Sequence, residues 1–133
     1  MSSFFSYNVH DDDIYFKSKT YGSGLDCLKM ELSSLNISYS FLDKLSSIDK
    51  SIFNFGFIQS IYVKGETGTG IGRRHVNNFL QSLSFQDITE AYVVADLSLE
   101  QEDHIDLLRF YKSFGFIELH TEKKSFSLLK CLI

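Results

Sequence analysis

The sequence has no tryptophan and no proline, and only two of its 133 residues are cysteine. Without proline the turns must rely on Gly, Ser, Asn and Asp, so the eight glycines punctuate the chain. Cys27 and Cys131 stand too far apart for a metal-ligand pair, and no other cysteine can complete a zinc site. The thiols are therefore expected to be reduced and the protein cytoplasmic. No stretch reaches the roughly 20 apolar residues of a membrane span, and Met1 to His10 lacks the basic start and apolar core of a secretory leader. Basic residues are scarce too, 13 against 17 acidic ones, with no block longer than Arg73-Arg74 or Lys123-Lys124. This argues against a nucleic-acid partner, although one helix terminus with one basic pair can still hold a phosphate.

What is present is apolar and aromatic. With 44% hydrophobic side chains, 13 Phe and 7 Tyr, residues 1–133 suit a single domain that buries roughly two-thirds of its unfolded surface. From Ile52 to Val63 the run IFNFGFIQSIYV predicts a buried strand, interrupted late by Gln59 and Ser60. Four glycines between Gly65 and Gly72 then break it. Val76, Phe79, Leu80 and Leu83 recur at helical spacing, which predicts a helix of about 13 residues. Ala91 to Leu97 predicts a second buried strand, so the order is strand, glycine turn, helix, strand. Such a unit makes its two strands parallel neighbours.

Acidic residues Glu100, Glu102 and Asp103 precede Ile105, Leu107, Leu108, Tyr111 and Phe114, the pattern of an amphipathic helix with negative charge in its first turn. Gly115 is placed to end it in the left-handed conformation. Phe116 to Leu119 and Ser125 to Leu132 predict a hairpin around a polar turn. In the N-terminal part, Tyr15 to Tyr21 reads as a strand and Gly22-Ser23-Gly24 as a turn. Leu25, Leu28, Leu32 and Leu35 favour a helix, although Leu28, Met30 and Leu32 also alternate as a strand would.

Taken alone, the glycine turn is ambiguous. Gly65 and Gly70 have the spacing of a nucleotide phosphate loop, but Ile71 and Gly72 stand where that loop needs Lys and Ser/Thr. A dinucleotide fingerprint fails at Arg73, where its third glycine belongs. A tight connection without ligand also fits. The turn can nonetheless converge backbone N–H groups at a helix N-terminus, where Arg73 and Arg74 add charge, and this suits a pyrophosphate without metal.

The residues here resemble the GNAT acetyltransferase superfamily, whose turn signature is Arg/Gln, two residues, Gly, one residue, Gly/Ala. The chain carries Gly68-Thr69-Gly70-Ile71-Gly72, with Thr67 at the Arg/Gln position. About 40 residues on, Phe110-Tyr111-Lys112-Ser113-Phe114-Gly115-Phe116 is similar to the family's aliphatic, Tyr, three residues, Gly, Phe. The resemblance spans Ile52 to Leu119, a cofactor-binding core between an atypical part at 1–51 and a final strand at 120–133. It implies an α/β (α+β) fold with a mixed, mostly antiparallel sheet flanked by helices. It further implies that acetyl-CoA is co-substrate, its pantetheine arm pairing with the backbone of Ile61, Tyr62 and Val63 as an added strand. Gly68, Thr69, Gly70, Ile71, Gly72 and Arg73 would hold the pyrophosphate, and a splay between the two parallel strands would receive the thioester.

The implied reaction is acetyl transfer to a primary amine, borne by a small molecule or a protein. Tyr111 is the candidate proton donor to the leaving thiolate, or else a core tyrosine. His104, at a position where the family often has Asn, is a candidate contact to the cofactor or the amine, or a solvated helix residue. Asp96 and Glu66 are the carboxylates to consider as base, with a cap and a loop charge as their plain alternatives. His10-Asp11-Asp12-Asp13 reads as a solvated turn and no metal is expected. A catalytically silent acyl-CoA-binding or regulatory module and a homodimer stay open.

Overall fold

The predicted strand, helix and strand of the central unit are all present in the computed structural model, which describes residues 3–5, 7–10, 14–22, 24–44, 54–63, 70–98 and 101–133. In chain order the elements are β1 (Ser3–Phe5), β2 (Asn8–His10), β3 (Ile14–Tyr21), α1 (Gly24–Ser34), a 3-10 turn (Ser40–Lys44), β4 (Phe55–Val63), α2 (Ile71–Phe85), β5 (Glu90–Asp96), α3 (Gln101–Lys112), β6 (Ile117–Glu122) and β7 (Phe126–Leu132). The strands form one sheet in the order β1-β3-β4-β5-β7-β6, with β2 also paired to β3. Among the described pairings only β4 with β5 is parallel. This is the mixed, mostly antiparallel sheet flanked by helices that the glycine turn and the Tyr111 segment implied.

Alternation along the strands feeds two cores, one on each face. Ile58, Val93 and Leu129 join Val76, Phe79 and Leu83 of α2 and Tyr111 of α3. On the other face Phe55, Phe57, Tyr92 and Leu128 pack with Leu25, Leu28 and Leu32 of α1. Helix α2 lies directly on β4 at Gly56, where a Cβ would come within 2.5 Å of Leu83 Cδ1 and 2.8 Å of Phe79 Cζ. A side chain there would force the helix off the sheet.

The N-terminal part resolves to strand and helix as favoured. Met30 is 55% exposed between buried Leu28 and Leu32, which removes the alternating alternative. Helix α1 stops one residue before Leu35, which stands exposed in the closing turn where the Ile37 N–H bonds the Leu32 carbonyl. The strand expected from Ile52 begins at Phe55; residues 51–53 lie outside the described part. The predicted hairpin forms as β6 and β7, and Gly115 after α3 takes a φ of 99°.

Candidate functional site

The functional geometry starts from a fault in β4. Against β3, Lys17 faces Ser60 while Ser18 faces Ile58, so Gln59 is an extra residue and the strand bulges there. A bulge bends its strand and increases the local twist. On the other edge the parallel ladder with β5 contains only Gly56–Ala91, Phe57–Tyr92 and Ile58–Val93. Beyond Ile58 the strands part. The backbone of Ile61, Tyr62 and Val63 stays bonded to β3 through Phe16, Tyr15 and Ile14, and its β5-facing edge carries no strand among the described residues. An extended ligand arm needs such an edge.

The glycine turn leads from this edge into α2. Gly65, Glu66, Thr67, Gly68 and Thr69 lie outside the described residues. Gly70 caps the helix in the left-handed conformation, at φ 79°, without a side-chain cap. Its carbonyl accepts from Arg74 N–H at 3.0 Å, while helix geometry leaves the N–H groups of Ile71, Gly72 and Arg73 without intrahelical acceptors. Gly72 is buried and Ile71 half-buried. Arg73 reaches sideways to α3, donating to Ser113 Oγ at 2.9 Å with its guanidinium 4.7 Å from the Phe114 ring centre. Arg74 lies 3.4 Å from Nε2 of buried His75, whose Nδ1 is 2.9 Å from the Tyr7 hydroxyl. Because a guanidinium only donates, Nε2 is the acceptor and Nδ1 holds the ring proton toward Tyr7. The terminus of α2 is thus anchored to the end of α3 and to Tyr7, in the link between β1 and β2.

Tyr111 sits in the same buried cluster as Ile58 and Val93, the last pair before the strands part. Its ring packs edge-on to Phe110 and Phe116, at 5.5 and 5.9 Å between centres. Burial raises its phenol well above the ordinary value, so it stays protonated and able to donate. At 3% exposure it is a core residue. His104 stands on α3 two turns before Tyr111; its side chain lies outside the described part, as do Asp11, Asp12 and Asp13.

The opposite face of the splay holds a cavity of about 420 Å³ between the turn after α1 and the β6–β7 hairpin, lined by Ile37, Ile58, Gln59, Val94, Asp96 and Phe126 among others. Asp96 ends β5 and its Oδ1 accepts the Ser98 N–H at 2.8 Å, so it does cap a turn, while also lining this cavity. Gln59, visible in the sequence only as a polar break in an apolar strand, is fixed by buried Glu31 of α1. Its Nε2 donates to both carboxylate oxygens at 3.0 and 3.2 Å, and the Tyr21 hydroxyl donates to the same carboxylate. Neither Glu31 nor Arg73's attachment to Ser113 was foreshadowed by spacing, because both depend on elements far apart in sequence. Among the described residues no group of His, Cys, Asp or Glu could hold a metal, and no helix is long and apolar enough to cross a membrane.

No family model matches the sequence, and no curated protein matches it. Among solved structures, the chain is similar to Arabidopsis thaliana NAA60, whose crystal structure was determined in complex with acetyl-CoA. The TM-score is 0.57 at 17% identity, over 90% of this chain and 65% of that one. This chain therefore spans about 65% of that protein's length. Over that span the two share one fold.

Proposed function

We propose that this protein is an acetyl-CoA-dependent N-acetyltransferase that acts on a primary amine by direct attack. The observation that carries the reading is the early end of the parallel ladder at Ile58–Val93, which leaves the edge of β4 open, with Tyr111 in the same buried cluster as that last pair. The residues present fit acetyl-CoA: the backbone of Ile61, Tyr62 and Val63 offers an edge to the pantetheine arm. The N–H groups of Gly70 to Arg73 offer an anion site at a helix start. NAA60's complex with acetyl-CoA supports the same assignment.

Acetyl-CoA supplies the activated acyl group. The amine nitrogen forms a bond to the acyl carbon, the carbon–sulfur bond breaks, and the sulfur takes a proton while the nitrogen loses one. Tyr111 is the donor to sulfur, kept neutral by burial. Asp96, at the end of β5 and on the cavity side, is the carboxylate through which water can carry the amine's proton away. The cavity on the α1 face is the amine's route, so the two substrates meet at the splay from opposite faces. Cys27 and Cys131 are both buried thiols rather than a disulfide, which suits a reducing cytoplasm. The burial of Tyr111 also supports a second reading, an acyl-CoA-binding module without turnover.

The test is to offer acetyl-CoA with a panel of primary amines and to follow thiol release. Release that depends on amine supports transfer; binding of acetyl-CoA without release from any amine supports the silent module.

A further inference from the structure

Asn36 and Lys124, which both line the cavity on the α1 face, have positive φ although neither is a glycine. Asn36, at φ 59°, is ordinary, because asparagine visits the left-handed region readily. Lys124, at φ 64°, is not. It is the third residue of the turn that closes the β6–β7 hairpin, where the Ser125 N–H bonds the Glu122 carbonyl at 3.0 Å, and a positive φ at that position favours Gly or Asn. A lysine needed only for solubility could stand at Lys123, where no positive φ is imposed. The lysine held at the costlier position is the one that lines the cavity. Its charge is also unspent: among the described residues Lys124 makes no ion pair. The acid of its own turn, Glu122, lies 3.6 Å from His120 Nε2. Asp96, the other charged residue of the lining, has its Oδ1 taken by the N–H and the hydroxyl of Ser98. Lys124 is exposed, so an occupant of the cavity can reach its ammonium without moving the core.

We infer that Lys124 is a specificity-determining residue, and that the acceptor of this cavity is a small amine that also carries a carboxylate; the inference rests on the acetyl-transfer reading above and names the acceptor class for it. The size follows from the walls: Ile37, Ile58, Val94 and Phe126 surround a volume of about 420 Å³, within the range of small-molecule sites and apolar enough to take an aliphatic body. The carboxylate follows from Lys124, the cation of the lining, which binds an anion as a point charge at the hairpin end of the cavity. Ile58 and Val94 line the cavity where β4 and β5 part. A molecule held by its acid group at Lys124 therefore extends its body and its amine toward that point. Lys124 thus selects and orients the acceptor and takes no part in the bond changes.

The experiment titrates the whole chain without acetyl-CoA and reads binding by NMR from the methyl resonances of Ile58 and Val94. Two probe pairs each differ by one carboxylate: leucine against isoamylamine, and ε-aminocaproate against pentylamine. In at least one pair the acid-bearing member should bind about fivefold more tightly, the scale of one partly exposed ion pair, and added salt should shrink the difference. Lys124→Asn keeps a side chain that tolerates the turn and removes the charge, so it should equalise the pair. Lys124→Glu should reverse the preference. Lys123→Gln, in the same turn but outside the lining, should leave it in place. Equal binding within both pairs, no saturable binding by any probe, or a preference that survives Lys124→Asn would overturn the inference. A carboxylate preference that vanishes in Lys124→Asn while no probe is acetylated would sink the catalytic reading and leave this one standing. Acetylation of leucine and isoamylamine at equal rates, unchanged in Lys124→Asn, would do the reverse.

Discussion

Nη2 of Arg73 donates to Oγ of Ser113 across 2.9 Å, which ties the first turn of α2 to the end of α3 two residues beyond Tyr111. The Phe114 ring completes the clasp beneath the guanidinium. Because a guanidinium has five donors, one bond to Ser113 leaves others for a phosphate. The contact therefore joins the segment expected to hold cofactor phosphate to the helix that carries the candidate proton donor.

Arg73→Met should keep the packing stem and lose both the charge and the clasp. Acetyl-CoA affinity measured by calorimetry should fall about tenfold, and its dependence on salt should weaken. Ser113→Ala should leave affinity within twofold. An Arg73→Met protein that binds acetyl-CoA as tightly as the parent at low salt would remove Arg73 from the phosphate site.

Tyr111→Phe keeps the ring in its cluster and deletes the hydroxyl. If Tyr111 protonates the leaving sulfur, turnover should drop on the order of 10²-fold or more with acetyl-CoA affinity unchanged. Steady-state kinetics with equilibrium binding reads both. Unchanged turnover would leave Tyr111 as a core side chain only.

Acetyl-CoA at 100 times its dissociation constant should stabilise the fold by about 2.7 kcal/mol, visible as a raised Tm. ATP with Mg²⁺ should give no comparable rise, since Ile71 and Gly72 replace the Lys and Ser/Thr that a nucleotide loop uses. The opposite pattern would return the glycine turn to the nucleotide class.

Two glycines should resist alanine for different reasons. Gly56→Ala puts a methyl into Leu83 and Phe79 and should cost about 1–3 kcal/mol by overpacking. Gly70→Ala meets no neighbour among the described residues but must hold a φ of 79°, a left-handed backbone that costs an L-residue about 1–2 kcal/mol. Urea unfolding measures both. Acetyl-CoA binding to folded protein should suffer only in Gly70→Ala.

At alkaline pH the tyrosines should divide. Tyr21, Tyr92 and Tyr111 all have phenols raised by burial, with Glu31 and Glu90 adding to the effect on the first two. Below pH 10 their contribution to stability is fully present. Above it the unfolded chain ionises while the folded one does not, so stability falls as pH rises. Absorbance at 295 nm should show these three of the 7 tyrosines ionising only with unfolding; a single smooth titration of all of them in the folded state would contradict the assignment.

Much of this was legible in the chain itself. The stripe Val76, Phe79 and Leu83 fixes α2, and the apolar runs around Phe57 and Val93 mark β4 and β5, because burial on one face repeats at the period of the element. Gly115 and the Tyr111 segment are equally local. Other features were not legible. Gln59 looked like an interruption, since a bulge appears only when the register against β3 is known. Its partner Glu31 lies 28 residues away, and no spacing rule joins a residue of α1 to a residue of β4. Leu35 matched the helical stripe yet fell outside α1, because the chain turns at Asn36, whose φ is 59°.

The sequence by itself determined the order of strand, turn, helix and strand, and with it the mixed, mostly antiparallel fold, because periodicity and glycine chemistry act over a few neighbouring residues. Tertiary structure alone decided where β4 and β5 separate, which way the Gln59 amide faces, and that Arg73 grips α3. Each of these depends on groups brought together only when the two faces of the sheet are covered, and no local pattern encodes such a meeting.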